Sequence, residues 1–123
     1  MNHYKIKSYA KINLALNVVG KRNSLHKIES IIAFVYLHDI IEIREIKSIN
    51  HVIKFSGKFS QNIGKNNTIS KLLKILEKKK ILKDKKFLIK VDKYIPNQAG
   101  LGGGSMNAAS IFKFFLKKKI IKA

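Results

Sequence analysis

The sequence predicts an α+β domain in which helices pack on a mainly antiparallel sheet. Three observations carry that expectation. Several segments alternate apolar and polar residues with the period of a half-buried strand, two later segments repeat apolar residues with the period of a helix, and the order is strands, helix, strand, glycine-rich loop, helix. At 123 residues the chain has the length of one ordinary domain.

Ile12-Asn13-Leu14-Ala15-Leu16-Asn17-Val18 places large aliphatics on one face and small or polar residues on the other, as a strand would. Ile28 to Tyr36 and Ile40 to Ile46 are rich in Ile, Val and Phe; His38-Asp39 between them reads as a turn, so a pair of strands is expected. In 51–56, Ile53 and Phe55 share a face opposite Lys54, and in 87–92 Phe87, Ile89 and Val91 line up in the same way. From Thr68 onward Ile69, Leu72, Leu73 and Leu76 fall at i, i+3, i+4 and i+7, which predicts a helix capped by Asn67 or Thr68. The lysine runs at 78–80 and 83–86 then read as a solvated connection to the next strand. A second helix is expected from near Ser105, with Met106, Ala109, Phe112 and Leu116 as its apolar stripe. Lys117-Lys118-Lys119 at its end complement the negative pole of the helix dipole.

Hydrophobic residues make up 46% of the chain, enough for a real core, so the net charge of +19 does not imply disorder. The 26 basic residues against 7 acidic ones favour anionic partners: phosphates, nucleic acid or an acidic membrane surface. Only Arg22 and Arg44 are arginine, however, and a chain crowded with Lys, Ile, Asn and Phe also matches an AT-rich coding sequence. The absence of cysteine excludes disulfides, thiolate metal sites and a Cys nucleophile. No run reaches the roughly 18 apolar residues of a membrane span, and 12–19 carries Asn13 and Asn17 where a signal peptide would be apolar. The expected location is the cytoplasm, with no membrane partner.

Four of the seven glycines fall at 100, 102, 103 and 104, within Pro96-Asn97-Gln98-Ala99-Gly100-Leu101-Gly102-Gly103-Gly104-Ser105-Met106-Asn107-Ala108-Ala109. This run follows a predicted strand and opens a predicted helix. Glycine lets backbone amides approach a ligand closely, and the first amides of a helix lack internal acceptors and carry the positive dipole end. Together they make an anion cradle suited to a nucleotide's phosphates, with Ser105 and Asn107 expected at the helix mouth to touch phosphate or magnesium. No Lys-Ser/Thr pair follows the last glycine as a P-loop requires, and the spacing of Gly100, Gly102 and Gly104 departs from the dinucleotide fingerprint. A flexible glycine turn is the plain alternative.

Pro96 to Ala109 resembles the phosphate-binding motif of the GHMP kinases, in the form found in members that phosphorylate cytidine diphosphate methylerythritol in non-mevalonate isoprenoid synthesis. Ala10-Lys11-Ile12-Asn13-Leu14 resembles a separate amino-terminal motif of those kinases. His26, the strand Asp39-Ile40-Ile41-Glu42-Ile43 and Asn67 also fall in matching places. The resemblance implies the family's amino-terminal fold over 1–123, a layered shape shared with ribosomal proteins, and transfer of the γ-phosphoryl of ATP to the substrate's 2-hydroxyl. It makes Lys11 the catalytic cation near the transferred phosphoryl, a role suited to a reaction driven by positioning and charge stabilisation. Asn13 and His26 become substrate-binding residues. Pro96, Asn97, Gln98, Ala99, Gly100, Leu101, Gly102, Gly103, Gly104, Ser105 and Met106 become the ATP-binding segment, with magnesium bridging phosphate oxygens and no dedicated protein metal site.

The sequence departs from the family where Ser24-Leu25-His26 replaces Gly-Tyr-His, removing an aromatic platform for cytosine, and where Met106 replaces a serine. The family's catalytic aspartate and carboxy-terminal domain fall beyond Ala123, so the expectation is a truncated form, with a separate carboxy-terminal chain as a candidate partner. An inactive remnant or a basic RNA-binding module are the competing readings. Against RNA, no aromatic pair sits on a strand as a base-stacking platform, and the glycine loop would go unexplained.

Overall fold

The computed structural model describes residues 3–9, 36–61, 63–64, 67–95 and 103–121. Within them the chain runs β1 (His3–Tyr9), β2 (His38–Ile46), β3 (Val52–Ser56), α1 (Thr68–Lys78), β4 (Lys86–Asp92) and α2 (Gly103–Lys117). The strands form one sheet in the order β1-β2-β4-β3. β1 pairs antiparallel with β2 and β2 with β4, whereas β3 lies parallel to β4. Parallel strands need a crossover connection, and α1 supplies it between β3 and β4. The α+β class and mainly antiparallel sheet are therefore as the alternation implied, with one parallel pairing added.

Strand alternation decides which side chains meet the helices. Ile41 and Ile43 of β2 and Phe87, Ile89 and Val91 of β4 are fully buried on one face, and Tyr4, Ile6, Ile53 and Phe55 extend it. α1 covers this face with Ile69, Leu73 and Leu76, and α2 with Ile111, Phe114 and Phe115. The Phe115 ring lies 5.0 Å from Phe87 and the Phe114 ring 5.1 Å from Tyr4, so aromatic packing ties α2 to β4 and β1. Each such buried side chain contributes roughly 1.5–3 kcal/mol. On the opposite face Glu42 of β2 meets His3 at 3.3 Å and Lys5 at 3.5 Å.

Asn67 caps α1: its side chain accepts from the Ser70 amide at 2.8 Å while Ser70 Oγ accepts from the Asn67 amide at 3.0 Å, a reciprocal capping box. α1 and α2 end alike. Lys80 (φ 56) and Lys119 (φ 57) take left-handed conformations, and the amides of Ile81 and Ile120 reach back to the carbonyls of Leu76 and Phe115 at 3.0 and 2.9 Å.

The structure differs from the sequence reading in three places, at β1, at His38-Asp39 and in α2. β1 was not foreseen, because its sequence His3-Tyr4-Lys5-Ile6-Lys7-Ser8-Tyr9 carries a single aliphatic. His38-Asp39 is no turn: both residues belong to β2 and pair with Tyr9 and Ser8, while Tyr36 is helical. The predicted strand at 12–18 and residues 28–35 lie outside the described residues. α2 opens at Gly103 instead of Ser105, and its buried stripe is Asn107, Ile111, Phe114 and Phe115, leaving Phe112 38% exposed. α2 is apolar on more than one side, so periodicity alone admits two stripes, and a polar Asn107 hid the one that faces the sheet.

Candidate functional site

The apolar face of the sheet has a polar end, and the register explains it. The inward positions of β1 finish at Ser8, those of β2 begin at Asp39, and those of β4 continue to Lys93 just beyond the strand. Ser8 pairs directly with Asp39, and Ile40 with Asp92, so Lys93 arrives beside Asp39 one step past the ladder. Ser8, Asp39, Lys93 and Asn107 of α2 are all buried.

Burying a charge is costly unless it is paired and its remaining hydrogen-bonding capacity is used. Here both conditions hold. Lys93 Nζ donates to Asp39 Oδ2 at 2.6 Å and to Asn107 Oδ1 at 2.9 Å. Asn107 Nδ2 donates to Asp39 Oδ2 at 3.0 Å and to Ser8 Oγ at 2.9 Å, and Ser110 Oγ closes on Ser8 Oγ at 3.0 Å. Asp39 Oδ1 accepts the backbone amides of Tyr94 and Ile95 at 2.7 and 2.9 Å. Outside the cluster, the exposed Tyr94 hydroxyl donates to Asp92 Oδ2 at 2.9 Å, and that carboxylate holds the phenol above its ordinary value.

This cluster brackets the glycine-rich segment. Ile95 immediately precedes Pro96, and Asn107 stands in the second turn of α2, which Gly103 opens. Thr68, the first residue of α1, donates its hydroxyl to the Gly104 carbonyl at 2.7 Å, so the amino ends of two helices meet there. Neither helix has an acidic residue in its first turn. No carboxylate within either first turn offsets these positive dipole ends, which suits an anion. A Cβ at Gly104 would come no closer than 3.5 Å to the Thr68 hydroxyl, an ordinary contact, so these neighbours do not by themselves require a glycine.

Gly103, Gly104, Ser105 and Met106 form the first turn of α2, and Met106 lines a cleft between β1 and α2 together with Tyr9 and Ser110. Lys11, Asn13, His26 and Pro96, Asn97, Gln98, Ala99, Gly100, Leu101 and Gly102 lie outside the described residues. The expectation that Asn107 touches phosphate is overturned: its amide is consumed by Lys93, Asp39 and Ser8 on the buried side of α2. Sequence reasoning missed the Asp39–Lys93 pair, since a lysine among so many carries no signal of burial. Among the described residues no group of three or more His, Asp or Glu side chains is placed to hold a metal ion, and no helix is long and apolar enough to cross a membrane.

The family description "GHMP kinases N terminal domain" matches residues 67–118. A 4-diphosphocytidyl-2-C-methyl-D-erythritol kinase of Pelagibacter ubique is 65% identical over 122 residues, covering 99% of this chain and 43% of that protein. The kinase of the same name from Thermoanaerobacter pseudethanolicus is 39% identical over 112 residues, 89% of this chain and 37% of that protein. The chain thus spans about two-fifths of the length of these curated relatives. Among solved structures, a 4-(cytidine 5'-diphospho)-2C-methyl-D-erythritol kinase superposes with a TM-score of 0.52 at 24% identity, over 71% of this chain and 30% of that one. A homoserine kinase from Cytophaga hutchinsonii does so with a TM-score of 0.51 at 21% identity, over 66% and 28%; both support the fold. The chain is similar to the GHMP kinases, and the part of them that it matches over residues 67–118 is the amino-terminal domain.

Proposed function

We propose that residues 1–123 form the nucleotide-binding amino-terminal part of a kinase that moves the γ-phosphoryl of ATP to the 2-hydroxyl of 4-diphosphocytidyl-2-C-methyl-D-erythritol. The observation that carries this reading is the amino end of α2: glycines open it, no acid occupies its first turn, and it meets the amino end of α1. The 65% identity to the Pelagibacter kinase over nearly the whole chain supplies the substrate.

On this reading the backbone of Pro96 to Met106 receives the triphosphate, and magnesium is held mainly through phosphate oxygens. Lys11 stabilises charge on the transferred phosphoryl, while Asn13 and His26 hold the cytidyl substrate. The remaining fold of the relatives is supplied by further chain, continuous or separate, and the enzyme works in the cytoplasm on small molecules.

The test supplies the chain with the carboxy-terminal part of the Pelagibacter relative, then follows phosphorylation of the cytidyl substrate by magnesium-ATP. Transfer is expected in the complemented protein, and Lys11→Met is expected to lower kcat by about a hundredfold or more. A complemented, folded protein that transfers nothing overturns the proposal.

A further inference from the structure

We infer that Asn107, acting with Lys93 and Asp39, is a clamp that fixes the two ends of the glycine-rich loop relative to each other; its effect on nucleotide rests on the function proposed above. The loop leaves β4 after Ile95 and enters α2 at Gly103. On the leaving side, Asp39 Oδ1 holds the amides of Tyr94 and Ile95. On the entering side, Asn107 is tied to Lys93 Nζ and Asp39 Oδ2 at 2.9 and 3.0 Å. Lys93 therefore bridges the two sides directly. Through Ser8 the same amide also reaches the end of β1, three residues before Lys11 in the sequence.

The core that this cluster adjoins is built of aliphatic and aromatic side chains, among them Ile41, Ile43, Phe87, Ile89 and Val91. An apolar side chain at 107 would fill the core without demanding partners, and a buried polar cluster is stabilising only when fully satisfied. What the cluster adds is geometry. A glycine-rich segment has more conformational freedom to lose than any other, so amides that must converge on one ligand gain from ends held in place. Asn107 is a positioning residue in this account and touches no ligand.

The experiment uses the 123-residue chain and its Asn107→Leu variant, which removes the amide at similar volume and leaves the Lys93–Asp39 pair. Amide hydrogen exchange is read at 97–102 and, as an internal control, in α1 and β4; magnesium-ATP affinity is read by calorimetry. Hydrogen bonds to charged partners correspond to about tenfold or more in an equilibrium. Exchange at 97–102 is expected to speed up by about that factor while α1 and β4 keep their protection, and the magnesium-ATP Kd to rise about tenfold. A purely structural role would instead loosen all three regions together. Should Asn107→Leu fail to fold, Asn107→Ser, too short to reach Lys93, Asp39 and Ser8 together, takes its place with the same expectations. A folded variant whose loop exchange is unchanged overturns the clamp. If loop exchange speeds up but the wild-type chain has no affinity for magnesium-ATP, the clamp stands and the proposed function fails.

Discussion

Lys93 Nζ lies 2.6 Å from Asp39 Oδ2, with the two side chains 2% and 0% exposed, at the polar end of an otherwise apolar core. Removing one member of such a pair strands the other charge away from water. Lys93→Met is therefore expected to destabilise the domain by about 3–5 kcal/mol. Lys93→Met combined with Asp39→Asn leaves no buried charge, and its amide can still accept from Tyr94 and Ile95. The double variant is expected to recover most of the loss in urea unfolding. Equal destabilisation of the single and double variants would show that the pair's charge is not what matters.

Gly57 is a position where glycine is required. It has φ +94, and a Cβ there would fall 2.6 Å from Asp92 Oδ1 and 2.7 Å from the Lys93 carbonyl oxygen. Beside it, the Lys93 amide donates to Ser56 O at 2.8 Å, so this turn presses on the backbone that leads to the loop. Gly57→Ala is expected to lower stability by about 1–3 kcal/mol from backbone strain, with further loss from the overlap. Unchanged unfolding midpoints would contradict the tight approach.

Two groups at the edge of the core make stability depend on pH in separate windows. Phe87 N–H donates to His51 Nδ1 at 3.0 Å, leaving the ring proton on Nε2, 2.8 Å from Glu77 Oε1 but off the line of a good hydrogen bond. Burial lowers the His51 value below 6.5, with Lys86 adding to the effect and Glu77 opposing it. The unfolded chain therefore takes up the proton first, and stability falls as pH drops below 6.5 until the folded value is passed. Glu77 is lowered from 4.5, first by its hydrogen bond with Lys86, so its contribution is present above 4.5 and lost as pH falls through the folded value. Melting temperatures measured across these ranges should fall in two stages, and His51→Asn should reduce the first. A first stage that is identical in the variant would refute the assignment.

The lysines that end the helices offer a gain. Lys80 and Lys119 hold left-handed conformations at φ 56 and 57, where a side chain costs about 1–2 kcal/mol relative to the ordinary helical region. Lys80→Gly and Lys119→Gly are each expected to stabilise by about 0.5–1 kcal/mol, since glycine's greater unfolded freedom offsets part of the relief. Chemical denaturation decides it; a lower midpoint in both variants would count against the reading.

The parts of the fold legible in the sequence were those where one physical period dominates. Ile53 and Phe55, Phe87 to Val91, and Ile69 to Leu76 alternate or repeat cleanly because each segment has one wet face. β1 escaped because Lys5 and Lys7 outnumber the single aliphatic Ile6, and its inward face ends in Ser8. Asp39 looked like part of a turn because a carboxylate is normally solvated, and only the third dimension supplies the Lys93 and Asn107 that pay for its burial. The motif points to the glycine-rich segment as an anion site and groups Asn107 with the ligand, whereas the Asn107 side chain belongs to the core. Residue type named the polar partners, and direction on the helix decided which side they serve.

On the proposed function, the glycine-rich segment 96–106 binds the phosphates of a nucleotide. The most direct measurement is the melting temperature of the 123-residue chain with and without saturating magnesium-ATP, in the wild type and in Gly102→Val. A ligand at about a hundred times its Kd stabilises the folded state by about 2.7 kcal/mol, so the wild type is expected to melt at least about 5 °C higher. Gly102→Val, whose side chain would occupy the path of the phosphates, is expected to show no rise. A rise of equal size in the variant, or none in the wild type, would contradict the claim.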